Sequence, residues 1–182
     1  MALLTDQEIL DIITIEPNRG YRLLMTQYQE QLYWHIRNIV TWHEDADDVV
    51  QNTFIKIFRN LDRFKGDSKL LTWMYRIATN ESISFLRSKK RKQTDSLDGD
   101  YSISEQLKAD QYFDGNSAQL ILTEAMNRLP EKQKAVFSMR YYEEIPYAEM
   151  SKIMDTSVGA LKASYHHAVK KIEEYIKNER RD

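Results

Sequence analysis

The sequence predicts an all-α protein of two small helical domains joined by an acidic linker, with a helix-turn-helix in the second domain. Apolar residues recur at helical spacing along most of the chain. Only five glycines and three prolines occur in 182 residues, fewer than strand-rich folds usually need for their turns. One polar stretch interrupts the helical pattern. We therefore expect a helical domain at 1–92, a linker at 93–117 with a short helical piece around 103–112, and a four-helix domain at 118–182.

Composition limits the class of protein. Hydrophobic residues make up 42% and charged residues 30%, as in globular domains. No apolar run approaches the roughly 18 residues that a membrane span requires. The first residues carry acids and no basic start, so we expect no signal peptide. The absence of cysteine excludes disulfides and thiolate metal sites and suits a reducing cytoplasm. We expect a cytoplasmic protein without cofactor or metal.

Charge is distributed unevenly along the chain. Residues 1–92 carry 14 bases and 12 acids, the linker 1 base and 6 acids, and residues 118–182 carry 11 bases and 10 acids, giving net charges of +2, −5 and +1. Non-specific DNA affinity depends on counterion release by many lysines and arginines. We therefore expect the isolated chain to bind duplex DNA weakly.

A helix is predicted over 45–61, because apolar residues recur there at helical spacing. Its core face comprises Ala46, Val50, Phe54, Ile57 and Leu61. The opposite face comprises Asp48, Gln51, Asn52, Ile55 and Arg59. An outward isoleucine among polar residues is compatible with a protein-docking surface. An ordinary amphipathic helix with one exposed apolar residue is the alternative.

The segment 61–92 combines aromatic and basic residues. A break at 64–68 precedes a second helix, which Asp67 or Ser68 could cap. Trp73, Tyr75 and Arg76 follow closely, and five bases lie within 87–92. Aromatic rings stack on unpaired bases and cations meet phosphates, so the pattern suits single-stranded nucleic acid. Core aromatics with a solvated basic helix end would give the same pattern.

A helix-turn-helix is predicted near the C-terminus. A short helix at 146–154, a break at 155–157 and a longer helix capped by Ser157 have the required arrangement. The longer helix has an apolar stripe of Val158, Leu161, Tyr165, Ala168, Ile172 and Ile176.

The opposite face of this helix begins with small residues. It comprises Gly159, Ala160, Ala163, His166, His167 and Lys170. Small residues allow close entry into a major groove, and the later side chains could reach bases or phosphates. A helical hairpin without a nucleic-acid role is the alternative. Adjacent histidines diverge by about 100° on a helix and cannot easily chelate one metal ion.

Three strings, in this order, resemble bacterial RNA polymerase sigma factors of the extracytoplasmic-function (ECF) group over roughly residues 20–178. DADDVVQNTFIKIF is similar to the helix that binds the polymerase clamp. RFKGDSKLLTWMYRIATN is similar to the segment that melts and reads the minus-ten element. LPEKQKAVFSMRYYEEIPYAEMSKIMDTSVGALKASYHHAVKKI is similar to the domain that reads the minus-thirty-five element.

The resemblance implies a promoter-recognition subunit with core RNA polymerase, promoter DNA and an anti-sigma factor as partners, no membrane contact of its own, and no enzymatic activity. The implied polymerase-binding residues are Asp48, Gln51, Asn52 and Ile55. The implied minus-ten residues are Phe64, Lys65, Gly66, Asp67, Ser68, Trp73, Tyr75, Arg76 and Asn80. The helix from Ser157 would read the minus-thirty-five groove. From helix-turn-helix geometry, the DNA-binding residues expected at this element are Ser157, Gly159, Lys162, Ala163, His166, His167, Lys170 and Lys171.

The chain departs from the family in its reading helix, where arginines are frequent and this chain has Ser164, His167 and Val169. A turn glycine is replaced by Asp155, a residue type that tolerates left-handed backbone. Two rival functions are considered. A helix-turn-helix repressor or activator would not explain the aromatic-basic segment. An enzyme is disfavoured because the sequence has no phosphate-binding loop, metal-ligand helix or nucleophile motif. His35 and His43 each follow a tryptophan, and we expect core or surface roles for them.

Overall fold

A computed structural model describes residues 4–95 and 116–179, and within these ranges it contains helices and no strands. The all-α prediction is confirmed. The elements are α1 (Asp6–Ile15), α2 (Pro17–Val40), α3 (His43–Asn60), a 3₁₀ turn (Leu61–Arg63), α4 (Leu70–Asp95), α5 (Ser117–Asn127), α6 (Glu131–Tyr141), α7 (Tyr147–Met154) and α8 (Val158–Glu179).

The helices reach slightly into the predicted linker. Helix α4 continues to Asp95, and α5 begins at Ser117 with the side chain of Asn116 accepting a hydrogen bond from the backbone of Gln119. The short helical piece expected at 103–112 lies outside the described residues. The exact domain boundaries stay a prediction.

Helix α2 is the centre of an N-terminal bundle, where it packs against α1, α3 and α4. Its apolar stripe is fully buried at Leu24, Leu32 and Ile36. Helix α1 crosses α2 at Gly20, where a Cβ atom would lie 2.3 Å from Cγ1 of Ile13. Only glycine permits so close an approach of the two helices.

The start of α4 differs from the sequence prediction. Neither Asp67 nor Ser68 caps its first amide; the backbone N–H of Leu70 donates to Oδ2 of Asp6, 3.2 Å away. The Ser68 hydroxyl instead donates to the carbonyl of Lys69. An acid at the start of α1 thus satisfies an orphan amide of α4, a long-range cap that local sequence rules cannot find.

A C-terminal bundle is formed by α5 to α8. Leu161, Ala168 and Ile172 of the α8 stripe are buried, and Phe137 of α6 packs between α5 and α8. Val158, predicted to lie in the apolar stripe, is instead exposed at 36%. It is the first residue of α8, so no preceding turn of the helix covers it.

The two bundles are in contact. Helix α4 packs against α6 and α7, and α2 packs against α6. A single apolar cluster joins residues from both sides, namely Ile39 and Ile83 from the N-terminal bundle and Ala135, Val136, Met139, Met150, Ile153 and Leu161 from the C-terminal bundle. We call this contact the seam.

Candidate functional site

The outward face of α3 has the composition expected of a docking surface. Asp48, Gln51, Asn52 and Ile55 are all exposed, with Ile55 at 46%. The inward face is buried at Ala46, Phe54 and Ile57, but Val50 is only half-buried, and Val49 is buried in its place. The structure therefore brings the four predicted residues onto one accessible surface.

The 64–68 loop lies at the surface between the 3₁₀ turn and α4. Lys65, Gly66 and Asp67 are exposed, and Gly66 adopts a left-handed backbone with φ +76°. Phe64 is half-buried, with its ring centroid 5.6 Å from that of Trp73. The loop is thereby tied to the first turn of α4, and the two aromatic rings form one surface with it.

Helix α4 divides the remaining predicted minus-ten residues between two faces. Arg76 and Asn80 are exposed and lie within about 60° of Trp73 around the helix, at 100° per residue. Tyr75 points elsewhere. Its ring stacks on His35 at 4.2 Å with an interplanar angle of 14°. Burial and the nearby Glu143 carboxylate raise the pKa of Tyr75 to about 12.

The helix-turn-helix has the predicted local chemistry. Asp155 ends α7 in left-handed conformation, with φ 50° and ψ 50°. Oγ of Ser157 accepts a hydrogen bond from the backbone N–H of Ala160 at 3.2 Å, which caps α8. Because Asp155 supplies the positive φ, the turn forms without glycine.

The outward face of α8 is exposed over its whole predicted length, which comprises Ser157, Gly159, Lys162, Ala163, His166, His167, Lys170 and Lys171. A Cβ atom on Gly159 would meet nothing within 4 Å. Internal packing therefore does not explain this glycine. Two lysines have partners within the chain: Nζ of Lys162 lies 5.8 Å from the Tyr147 ring, and Nζ of Lys171 donates to Gln133.

Sequence reasoning missed a polar cluster in the seam around His35. The fully buried His35 ring approaches both carboxylate oxygens of Glu143 through Nδ1, each at 3.0 Å. Its Nε2 lies 2.8 Å from Oγ1 of Thr79. His35 and Thr79 belong to the N-terminal bundle and Glu143 follows α6. The one signal in the sequence is that position 35 falls on the apolar stripe of α2.

A second missed cluster surrounds a buried lysine of α6. Nζ of Lys134 donates to Oγ1 of Thr41 at 2.8 Å and to Oδ1 of Asn127 at 2.6 Å. The Thr41 hydroxyl also donates to Asn127 Oδ1, at 2.9 Å. Burial, with further repulsion from Lys89 and Arg37 that Asp45 only partly offsets, lowers the pKa of Lys134 to about 7.

Neither cluster resembles a metal site. Within residues 4–95 and 116–179, no group of three or more histidines and carboxylates is placed to hold a metal ion. Over the same ranges, no helix is long and apolar enough to cross a membrane.

Comparison with known proteins supports the resemblance. Residues 24–92 match the family model of sigma-70 region 2, and residues 119–172 match that of sigma-70 region 4. The chain is 29% identical over 182 residues to the ECF RNA polymerase sigma-E factor of Haemophilus influenzae, covering 95% of this chain and 96% of the relative. It is 26% identical over 180 residues to the RNA polymerase sigma-H factor of Pseudomonas aeruginosa, covering 94% and 93%.

Two solved structures share the fold. The sigma factor RpoE of Bartonella quintana, in complex with the anti-sigma factor NepR, has a TM-score of 0.63 at 21% identity, over 87% of this chain and 98% of that one. CnrH, in complex with the cytosolic domain of CnrY, has a TM-score of 0.67 at 18% identity, over 95% and 97%. The family models, the relatives and the fold agree: the chain belongs to the sigma-70 family of RNA polymerase sigma factors and, within it, to the ECF group.

Proposed function

We propose that the protein directs core RNA polymerase to specific promoters as a dissociable subunit and assists strand opening when transcription starts. The proposal assigns one surface of the N-terminal bundle to the polymerase clamp, a second to the minus-ten element, and α8 to the minus-thirty-five element. RNA synthesis itself belongs to the polymerase. The protein acts in the cytoplasm, where polymerase and chromosome meet.

The observation that carries the proposal is the exposed face of α3. Ile55 is 46% exposed among Asp48, Gln51 and Asn52, on a helix whose other side is well buried. A partner that covers Ile55 removes apolar surface from water, while the surrounding polar groups set orientation. A helix-turn-helix repressor would have no use for this face, and neither the relatives nor the family models favour that alternative.

The minus-ten surface comprises the 64–68 loop with Trp73, Arg76 and Asn80. The loop carries Lys65 beside the Phe64 and Trp73 rings. The lysine can pair with a phosphate, and the aromatic rings can stack on an unpaired base. Tyr75 is placed differently, with its ring against His35, and its assignment to the minus-ten surface stays a prediction.

The minus-thirty-five surface is the outward face of α8. Gly159 and Ala163 present no bulk near the start of the helix, which allows a close approach to the major groove. His166 and His167 follow on the same exposed face as candidate base contacts, and Lys170 as a phosphate contact.

The regulator that we propose is an anti-sigma factor. One solved neighbour described above is a complex with the anti-sigma factor NepR, and the other is a complex with the cytosolic domain of CnrY. The residues of this chain that would contact it are not assigned.

The test of the proposal is substitution of Ile55 by Glu. In the complex with polymerase, the change would bury a carboxylate in place of an apolar side chain. We therefore expect at least about tenfold weaker binding to core polymerase, equivalent to 1.4 kcal/mol. Ile15→Glu is the matched control, because Ile15 is 79% exposed on α1, away from this face. Affinity is measured by pull-down titration, with circular dichroism for helicity. Equal affinities for the two variants would contradict the assignment.

A further inference from the structure

Helix α4 carries an exposed face that continues past the minus-ten surface. The residues that we assign to that surface end at Asn80, which is exposed like Arg76. At 100° per residue, Ser84, Arg87 and Arg91 lie within about 80° of Arg76 around the helix. All three are exposed. One face of α4 therefore leads from the minus-ten surface towards the C-terminal end of the helix.

The two arginines on this face have no protein anion as a partner. Among the side chains of residues 4–93 and 116–179, neither Arg87 nor Arg91 takes part in an ion pair or a hydrogen bond. The lysines between them differ, since Lys89 pairs with Asp45 of α3 and Lys90 pairs with a glutamate of α6. The helix dipole favours bases at this end of α4. It does not explain why the lysines pair with carboxylates and the arginines stay free.

Free arginines at these positions suit phosphates that lie some distance from the minus-ten bases. A guanidinium group donates two parallel hydrogen bonds to a phosphate and keeps its charge at any ordinary pH. Measured along the helix at 1.5 Å per residue, Arg87 and Arg91 lie about 16 and 22 Å from Arg76. At about 3.4 Å per base pair, these distances correspond to roughly five to seven base pairs of DNA. The two arginines would therefore contact nucleotides beyond those near Arg76.

The order of elements along the chain indicates which nucleotides these are. Helix α4 is followed by residues 96–115 and then by the bundle that contains α8, to which the proposed function gives the minus-thirty-five element. That element lies upstream of the minus-ten element, so the C-terminal end of α4 is expected to face upstream DNA. Helix α8 enters a major groove, which only double-stranded DNA offers. The DNA beside the end of α4 is therefore duplex rather than melted strand.

We propose that Arg87 and Arg91 bind backbone phosphates of the duplex directly upstream of the minus-ten element, so that α4 holds this duplex as well as the melted strand. The inference rests on the proposed function. The contact is independent of base sequence, because phosphates carry no sequence information. Each arginine that neutralises a phosphate displaces condensed counterions, so each contributes about 0.9 to the slope of log affinity against log salt concentration.

The test measures how tightly the holoenzyme binds two fork-junction DNAs at several salt concentrations. Both are made from a promoter on which the holoenzyme starts run-off transcription, with the minus-ten element single-stranded, and their duplex reaches either about two or about ten base pairs upstream of it. Wild type should bind the longer fork more tightly, with a salt slope steeper by about two. Arg87→Gln and Arg91→Gln should each bind the longer fork severalfold more weakly, with a slope reduced by about one, and should bind the shorter fork like wild type. Arg22→Gln is the matched control, because it removes the same charge from an exposed position on α2, and it should match wild type on both forks.

Four results would overturn the inference while leaving the proposed function in place. The first is a wild type that binds the two forks equally, and the second is a pair of arginine variants that keep the wild-type slope on the longer fork. The third is an equal loss of affinity on both forks, which would place the arginines on the single strand. The fourth is weakened binding of either variant to core polymerase in a pull-down titration. A wild-type holoenzyme that binds the shorter fork no better than core polymerase alone would contradict the proposed function itself, and the inference with it.

Discussion

Replacing Lys134 by Met should remove a pH dependence from the stability of the protein. The lysine is buried in the seam, where Thr41 and Asn127 accept its hydrogen bonds. Methionine is similarly long, unbranched and apolar, so it fills the space without a charge. The hydroxyl of Thr41 still donates to Asn127 Oδ1, which keeps that acceptor satisfied.

The size of the effect follows from the pKa of Lys134, which burial lowers from 10.5 to about 7. Between these values the unfolded chain binds a proton that the folded protein does not. The free energy of unfolding therefore rises with pH through this window, and the gain is lost as pH falls through about 7. Each pH unit changes the free energy of unfolding by at most about 1.4 kcal/mol, so the gain from pH 7 to pH 9 is about 2 kcal/mol. The pKa values of Tyr28 and Tyr75, both raised to about 12, lie above this pH range.

Urea unfolding at pH 7, 8 and 9 provides the measurement. Wild type and Lys132→Met should share the upward slope, because Lys132 is exposed on the same helix. Lys134→Met should lack the contribution of about 2 kcal/mol. A slope in Lys134→Met equal to that of wild type would refute the reasoning.

Three further predictions test the fold and the DNA-reading surfaces. Gly20→Ala should destabilise the protein by about 1–3 kcal/mol, because the added methyl overlaps with Ile13. Gly159→Ala should stabilise it by up to about 1 kcal/mol, because nothing lies near the added methyl. Thermal denaturation of the two variants measures both effects. Ala163→Leu should reduce activity on a promoter library randomised at the minus-thirty-five element without lowering the melting temperature, and unchanged activity and preference would show that the reading face is wrongly assigned. Replacing the 64–68 loop by Gly/Ser of equal length should reduce promoter opening, detected by permanganate, more than polymerase binding, and full opening would disprove the role of the loop.

The helices and the turn of the reading motif could be predicted because their causes are local. Apolar spacing places Phe54 and Ile57 on the buried side of α3 and Ile55 on the exposed side. Ser157 caps α8 because its hydroxyl reaches an orphan amide three residues ahead. Such interactions depend on residues one to four positions apart, and a single sequence contains them in full.

The failures of sequence reasoning share a different physical origin. Asp6 caps α4 from 64 residues away, and Glu143 meets His35 from 108 residues away. The spacing of residues within one helix carries no information about such partners. The stacking of the Tyr75 ring on His35 is a further contact of this kind, because the spacing within α4 does not reveal a partner on α2.

The buried lysine of α6 affects how firmly the two bundles are held together. A cation placed at a site where burial lowers its pKa to about 7 weakens the closed arrangement at neutral pH, compared with an apolar residue of the same volume. The seam is therefore less stable than its apolar cluster alone would make it. A seam built of apolar residues alone would hold the two bundles together more firmly.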